Sequence, residues 1–215
     1  MKYMEFKDYF QNYPVINSND TVNRGNFQTE YNQLNNWTKK GLVIQLKKGL
    51  YVLNKHDRKI DVSNAFIANQ LYFPSYISLE YALSLYELIP ETVMNITSVS
   101  TKKTAKFQNE FGLFSYQSIK ISAFRGFIQV SDNNGMKYFL AEPEKAVADF
   151  IYFNLSKFDK DDKDIFETSY RFQNLQILDI KKLLLFTKLF NNKKLIIVIN
   201  NLIKVIKGNI NDRSY

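Results

Sequence analysis

The sequence contains no cysteine and a single histidine, His56. The lack of cysteine excludes disulfide bonds, cysteine zinc sites, iron–sulfur clusters and thiol nucleophiles. A lone histidine without partner ligands indicates a surface residue, and it argues against both a metal site and a catalytic triad. Glycine and proline are scarce too, at seven and four residues, which excludes collagen-like and other low-complexity chains. We therefore expect no cofactor, no metal and no enzymatic activity.

Long hydrophobic runs are absent as well. Short runs such as 195–199 fall far below the about 20 residues that a bilayer-spanning helix requires. The first eight residues mix apolar and charged side chains and lack the hydrophobic region of a secretory signal. At 215 residues, 45% of them hydrophobic, the chain is long enough to bury a sizeable core. These features predict a globular cytoplasmic protein of one or two domains with no membrane association.

Positive charge is in excess and is unevenly distributed. The net charge at pH 7 is +8. Residues 1–60 contain ten basic and five acidic side chains, residues 61–150 contain seven and nine, and residues 151–215 contain twelve and seven. Two basic segments around a nearly neutral one indicate one or two surfaces for a polyanion such as nucleic acid. The alternative is that the lysines only keep the protein solvated.

The most informative segment is a helix predicted over residues 27–40, with Asn26 as its N-cap and Gly41 at its end. Four apolar residues share one face at helical spacing: Phe27, Tyr31, Leu34 and Trp37. The other face carries uncharged amides and a hydroxyl: Gln28, Thr29, Asn32, Gln33, Asn35 and Asn36. Asparagine and glutamine form paired hydrogen bonds with adenine in the major groove, so this face favours DNA recognition. Codon bias in an AT-rich genome is the alternative source of the asparagines.

A β-hairpin is predicted over residues 42–53, because two β-rich runs flank Lys47, Lys48 and Gly49. Short helices are predicted upstream, over residues 6–11 and 17–22, with a turn between the second of them and the long helix. This order is typical of a winged helix-turn-helix domain, which we place at residues 1–60, with the lysines of the hairpin tip contacting phosphates. The predicted DNA-binding residues are Arg24, Gln28, Thr29, Asn32, Gln33, Asn36, Lys39, Lys40, Lys47 and Lys48.

The rest of the chain, residues 61–215, predicts a second domain. A helix is expected between Ser78 and Pro90, and another beginning at Pro143. Strands are predicted over residues 95–100, 111–121, 124–131 and 136–140, and further helices over 163–172, 179–190 and 193–207, with a frayed end at 208–215. The predicted fold class is α+β: an N-terminal winged helix-turn-helix, then a small, mostly antiparallel sheet and a helical C-terminal region.

Several runs in this order resemble the AbiEi antitoxin family of type IV abortive-infection toxin–antitoxin systems. The resemblance covers roughly residues 5–155 and is carried by residues 37–51, 74–83, 88–91, 97–103, 111–116 and 141–146. No single run is diagnostic, and the specificity lies in their shared order.

The resemblance implies a bacterial DNA-binding antitoxin with a role in phage defence. Such proteins bind repeats in their own promoter and silence the antitoxin–toxin operon as transcriptional repressors. The functional partner would be a nucleotidyltransferase-like toxin, counteracted without a stable complex. We expect two copies on repeated half-sites of a duplex operator. The alternative is a stand-alone winged-helix regulator, or a protein-interaction module, with no toxin partner.

Overall fold

The computed structural model of the protein describes residues 2–22, 27–159 and 165–212. The N-terminal part has three helices and a three-stranded antiparallel sheet in the order β1-β3-β2. Its elements are α1 (Tyr3–Phe10), β1 (Ile16–Asn17), α2 (Ser18–Val22), α3 (Phe27–Lys39), β2 (Val43–Lys47) and β3 (Leu50–Leu53). The predicted helices and the hairpin are confirmed, whereas β1 was not predicted. Two residues are too few to leave an alternating pattern in the sequence.

Helix α3 ends at Lys39, one residue before the predicted end, and Gly41 follows as the predicted stop. Gly41 adopts a left-handed conformation with φ +68°, which a residue without Cβ does at little cost. The Gly41 amide donates to the carbonyl of Thr38 at 3.0 Å, and the Leu42 amide donates to that of Trp37 at 2.9 Å. These two bonds form a Schellman motif, which satisfies the last carbonyls of the helix and turns the chain directly into β2.

The remainder of the chain is a mixed α+β structure with helices at its C-terminal end. Its elements are α4 (Asn64–Leu71), β4 (Ser75–Ile77), α5 (Leu79–Leu85), β5 (Ile96–Ser100), β6 (Ala105–Asn109), β7 (Gly112–Ser118), β8 (Phe127–Ser131), β9 (Lys137–Ala141), α6 (Pro143–Phe153), α7 (Ile165–Thr168), α8 (Ile180–Lys188) and α9 (Lys193–Asp212). The strands form one six-stranded sheet in the order β6-β7-β5-β4-β9-β8. Three of its strand pairs are antiparallel, and β4–β9 and β5–β7 are parallel.

The four predicted strands are present, but α4, β4 and β6 were not predicted. The helix predicted up to Pro90 ends earlier, at Leu85, because Glu87 takes a left-handed φ of +55°. The Leu88 amide then donates to the carbonyl of Leu83, which closes a second Schellman motif. The predicted fraying from residue 208 is wrong over 208–212, since α9 continues to Asp212, and residues 213–215 lie outside the described part. The helix predicted over 163–172 is wrong at its end: α7 stops at Thr168, and Arg171 takes a left-handed φ of +47°. Residues 163–164 lie outside the described part.

Two hydrophobic cores share the β2–β3 hairpin. The N-terminal core consists of Phe6, Phe10, Ile16, Leu34, Val43, Tyr51 and Leu53. The main core, around the six-stranded sheet, takes in Leu46, Leu50 and Val52 from the same hairpin. Successive residues of a strand point to opposite faces, so β3 alternates between the two cores and all four of its residues are buried.

A buried ion pair lies inside the main core. Lys145 and Asp149, one turn apart on α6, are both fully buried and bonded to each other. The second carboxylate oxygen of Asp149 accepts hydrogen bonds from Ser78 at 2.8 Å and from Tyr76 at 3.0 Å. The Lys145 ammonium also lies 4.4 Å from the centre of the Phe190 ring. Burial raises the pKa of Asp149 and lowers the pKa of Lys145, so each charge depends on the other.

We expect Lys145→Met to destabilise the protein by about 3–5 kcal/mol, because it leaves Asp149 buried without its counter-ion. Urea unfolding followed by circular dichroism measures the change. The double variant Lys145→Met with Asp149→Asn should recover part of the loss, since the amide still accepts from Ser78 and Tyr76. Lys182→Met, at the exposed ion pair with Glu142, is the matched control and should change stability far less. Equal losses from Lys145→Met and Lys182→Met would contradict this role of the buried pair.

Candidate nucleic-acid interface

Helix α3 presents a polar stripe to solvent, formed by Asn32, Asn36, Lys39 and Lys40. All four side chains are exposed. Asn32, Asn36 and Lys39 follow one another at spacings of four and three, which places them on one side of the helix, and Lys40 is the first residue after it. On the opposite side, Leu34 is 2% exposed and belongs to the N-terminal core. The stripe therefore faces outward because the apolar side of the helix is held by packing.

Helix α1 fixes how α3 is rotated about its axis. The Trp37 ring packs at 5.5 Å from Tyr3 and at 4.7 Å from Phe6, measured between ring centres. The Tyr3 hydroxyl lies 3.1 Å from the carbonyl of Leu42, just after the end of α3. It also donates to the carboxylate of Asp57 at 2.6 Å. These contacts tie α1 to both ends of the hairpin and hold the polar stripe in a fixed direction.

No acidic residue occurs between Tyr31 and His56, a stretch that contains five lysines. The first acid after it, Asp57, is neutralised inside the N-terminal part. Its carboxylate accepts from Tyr3 and pairs with Lys7 at 2.9 Å. The Tyr3 hydrogen bond, followed by the Lys7 ammonium, outweighs partial burial and holds the pKa of Asp57 below its ordinary value. Residues 31–56 consequently contribute only positive side-chain charge.

The two lysines of the hairpin turn have different surroundings. Lys48 is exposed, whereas Lys47 is half-buried and donates to the carbonyl of Leu71 at 2.6 Å. Burial, followed by the charge of nearby Lys102, lowers the pKa of the Lys47 ammonium. The turn itself is anchored through Gly49, whose carbonyl accepts from the amide of Ser18 at the start of α2, at 2.9 Å. Lys48 is thus the turn lysine that faces solvent.

Half of the predicted site residues are exposed in the structure. Asn32, Asn36, Lys39, Lys40 and Lys48 are exposed, while Gln33 is half-buried. Lys47 is directed toward the end of α4. The side chains of Gln28 and Thr29 and the whole of Arg24 lie outside the described residues.

Lys102, in the loop between β5 and β6, was not predicted as a neighbour of the hairpin. Its exposed ammonium lies 5.4 Å from the centre of the Tyr72 ring, close enough to Lys47 to lower the pKa of that lysine. A neighbour more than fifty positions away leaves no local signal, so only the folded sheet reveals it.

Other kinds of site find little support in the described ranges. Among these residues, no group of three His, Asp or Glu side chains is placed to hold a metal ion. None of the helices there combines the length and the apolar composition that a bilayer span requires. A cleft of about 390 Å³ lies where the sheet extends past α5 and α6, lined by Glu80, Asn95, Lys106, Ser115, Asn154 and neighbours. Its opposite charges and neutral polar groups favour no particular ligand.

Comparison with known proteins finds no protein-family model that matches the chain and no curated protein that matches it.

We expect Asp57→Asn to lower stability at pH 7, with a loss that fades in acid. Because the pKa of Asp57 is lower in the folded protein than its ordinary 3.8, its ionised form stabilises the fold above pH 3.8. This contribution disappears as the pH falls through the folded-state pKa. Urea unfolding at pH 7 and at pH values below 3.8 should show the two proteins converging. Asp61→Asn, at a side chain that is 69% exposed, is the control and should have little effect at either pH. A constant difference across the pH range would contradict this explanation.

Proposed function

We propose that the protein is a DNA-binding antitoxin that represses its own type IV toxin–antitoxin operon and counteracts a nucleotidyltransferase-like toxin. The observation that carries the proposal is the outward-facing polar stripe of α3, free of acidic side chains and followed directly by a hairpin with an exposed lysine. Three helices and a small antiparallel sheet in this order support a winged helix-turn-helix. The resemblance of residues 5–155 to AbiEi antitoxins supports the rest of the proposal.

In this proposal α3 lies in the major groove, which is wide enough to admit a helix. Asn32 and Asn36 reach base edges, where a side-chain amide pairs with adenine N6 and N7. Lys39 and Lys40 leave the groove at the C-terminal end of the helix and contact the phosphate backbone. Phosphate contacts set orientation and affinity, whereas base contacts determine sequence preference.

Lys48 rather than Lys47 provides the hairpin contact. The Lys47 ammonium already binds the carbonyl of Leu71, and reaching a phosphate would break that bond. Lys48 is exposed at the turn and can take several rotamers without such a loss. The hairpin thereby supplies one flexible phosphate contact and one fixed internal contact.

A gel shift on the region upstream of the protein's own gene, with random duplex as competitor at two salt concentrations, tests the DNA-binding part. We expect specific retardation that survives the competitor. Asn36→Ala should lose about 1–3 kcal/mol of preference for the specific site and leave binding to random duplex unchanged. Lys48→Ala should weaken binding to both duplexes and lower the slope of log K against log salt by about 0.9.

Lys47→Ala is the matched control for Lys48→Ala. It should change DNA affinity less, and should cost about 1 kcal/mol of stability through the lost hydrogen bond. If Asn36→Ala and Lys48→Ala weaken specific and random binding equally, the assignment of base and phosphate contacts is wrong. If the parent protein never prefers its own upstream region, autorepression is wrong.

Co-expression tests the antitoxin part. We expect the protein to restore growth of cells that express the toxin-like reading frame next to its gene. When the protein is produced from an unrelated promoter, Asn36→Ala should restore growth as well as the parent does, because base recognition acts only at the operator. If the parent protein does not restore growth, the antitoxin part of the proposal is wrong, and the alternative of a stand-alone regulator is favoured. A failure of Asn36→Ala alone would mean that antitoxicity requires DNA recognition.

A further inference from the structure

Strand β8 is a free edge of the six-stranded sheet. Within the described ranges its sheet partner is β9. At one end of the pair the Glu142 amide donates to the carbonyl of Gly126 at 2.9 Å, and at the other the Asp132 amide donates to that of Met136 at 3.0 Å. Because antiparallel bonding alternates along a strand, the even-numbered residues of β8 bond to β9. The peptide groups of Phe127, Gln129 and Ser131 therefore point away from the sheet.

This edge lacks the features that usually prevent strands from pairing with another chain. Such features are charged side chains, proline and bulges. Residues 127–131 contain no charge and no proline, and their register with β9 is regular. Gln129 and Ser131 are exposed, and Ile128 leaves 47% of its surface in solvent. The opposite edge differs, since β6 carries Lys106 and bonds to the hairpin through Asn109 and the carbonyl of Leu46 at 3.1 Å.

We propose that β8 binds β8 of a second copy of this chain, in antiparallel orientation, with the two-fold axis at Gln129. Two sheets would then join into one continuous sheet across the dimer. An antiparallel pair of identical strands is self-complementary, which is what a two-fold interface requires.

The register follows from the outward-pointing peptide groups. With Gln129 opposite its own copy, Phe127 lies opposite Ser131 on each side, and each of these pairs exchanges two backbone hydrogen bonds. Ile128 then lies opposite Val130. In this arrangement the exposed apolar surface of each Ile128 is covered by Val130 of the other copy.

Charge supports a second copy as the occupant. Between residues 125 and 132 the only charged side chains are Arg125 at one end and Asp132 at the other. Antiparallel pairing brings each Arg125 to the end of the partner strand that carries Asp132. Strand β8 also lies within residues 61–150, the segment that has more acidic than basic side chains. Two copies that meet at this strand therefore experience little electrostatic repulsion. A polyanion finds no such complement on this uncharged strand.

The inference extends the proposed function, in which two copies occupy one operator. Its test contains no DNA, so self-association and DNA binding succeed or fail separately.

The absence of cysteine allows a direct test with Gln129→Cys. In the proposed dimer the two Cα atoms at this position are about 5.5 Å apart, which is within the range that a disulfide spans. We expect mild oxidation to give a covalent species of twice 25.3 kDa on a non-reducing gel. Gln108→Cys, at an exposed position on the opposite edge, is the matched control and should cross-link much more slowly. Equal cross-linking of the two variants would overturn the proposal.

A second measurement uses Gln129→Pro and Gln129→Thr with light scattering across a concentration series. Proline removes an outward-pointing amide without removing a bond to β9, so it should abolish the dimer while the circular dichroism spectrum is kept. Threonine retains the amide and should retain the dimer. A dimer that persists in Gln129→Pro, or a parent protein that stays at the mass of one chain at every concentration, would overturn the proposal.

Discussion

The structure depends on the two-sided packing of the β2–β3 hairpin. Tyr51 and Leu53 complete the N-terminal core, and Leu50 and Val52, on the other face of the same strand, belong to the main core. A strand buried on both faces can shift its register only by exchanging the residues of both cores at once. The hairpin therefore has a fixed register and packs against both parts of the molecule.

The position of α3 follows from that of the β2–β3 hairpin. The Schellman motif at Gly41 leaves only residues 40–42 between the helix and β2, and α1 packs against Trp37. The direction of the polar stripe is thus set by the hairpin and, through it, by the six-stranded sheet. The Lys47 contact with the end of α4 strengthens the same connection. A ligand of the stripe would encounter a surface whose geometry is fixed before binding, which lowers the ordering cost of association.

Local signals made the N-terminal helices and the hairpin predictable. The apolar spacing of α3, the glycine after it and the hairpin turn all act within a few residues, and each appears in the structure. The missed elements depend on partners far along the chain. Strand β4 has three residues and is held by β5 and β9, and α4 is defined by the sheet face that it covers. The different roles of Lys47 and Lys48 could not be predicted from the sequence either. They arise because the fold brings Leu71 and Lys102, both distant in the sequence, close to Lys47.

The distribution of charge connects the two proposals physically. In the N-terminal part, Asp57 pairs with Lys7 and accepts from Tyr3, so the first acidic side chain that follows the stripe in the sequence has its charge balanced within the fold. In the main core, Lys145 and Asp149 form the only completely buried ion pair of the described residues, and the pair adds no net charge. Two copies of a chain with net charge +8 repel each other across most approaches. An uncharged strand with one cation and one anion at its ends adds little to that repulsion, and it lies in the segment that carries none of the excess positive charge.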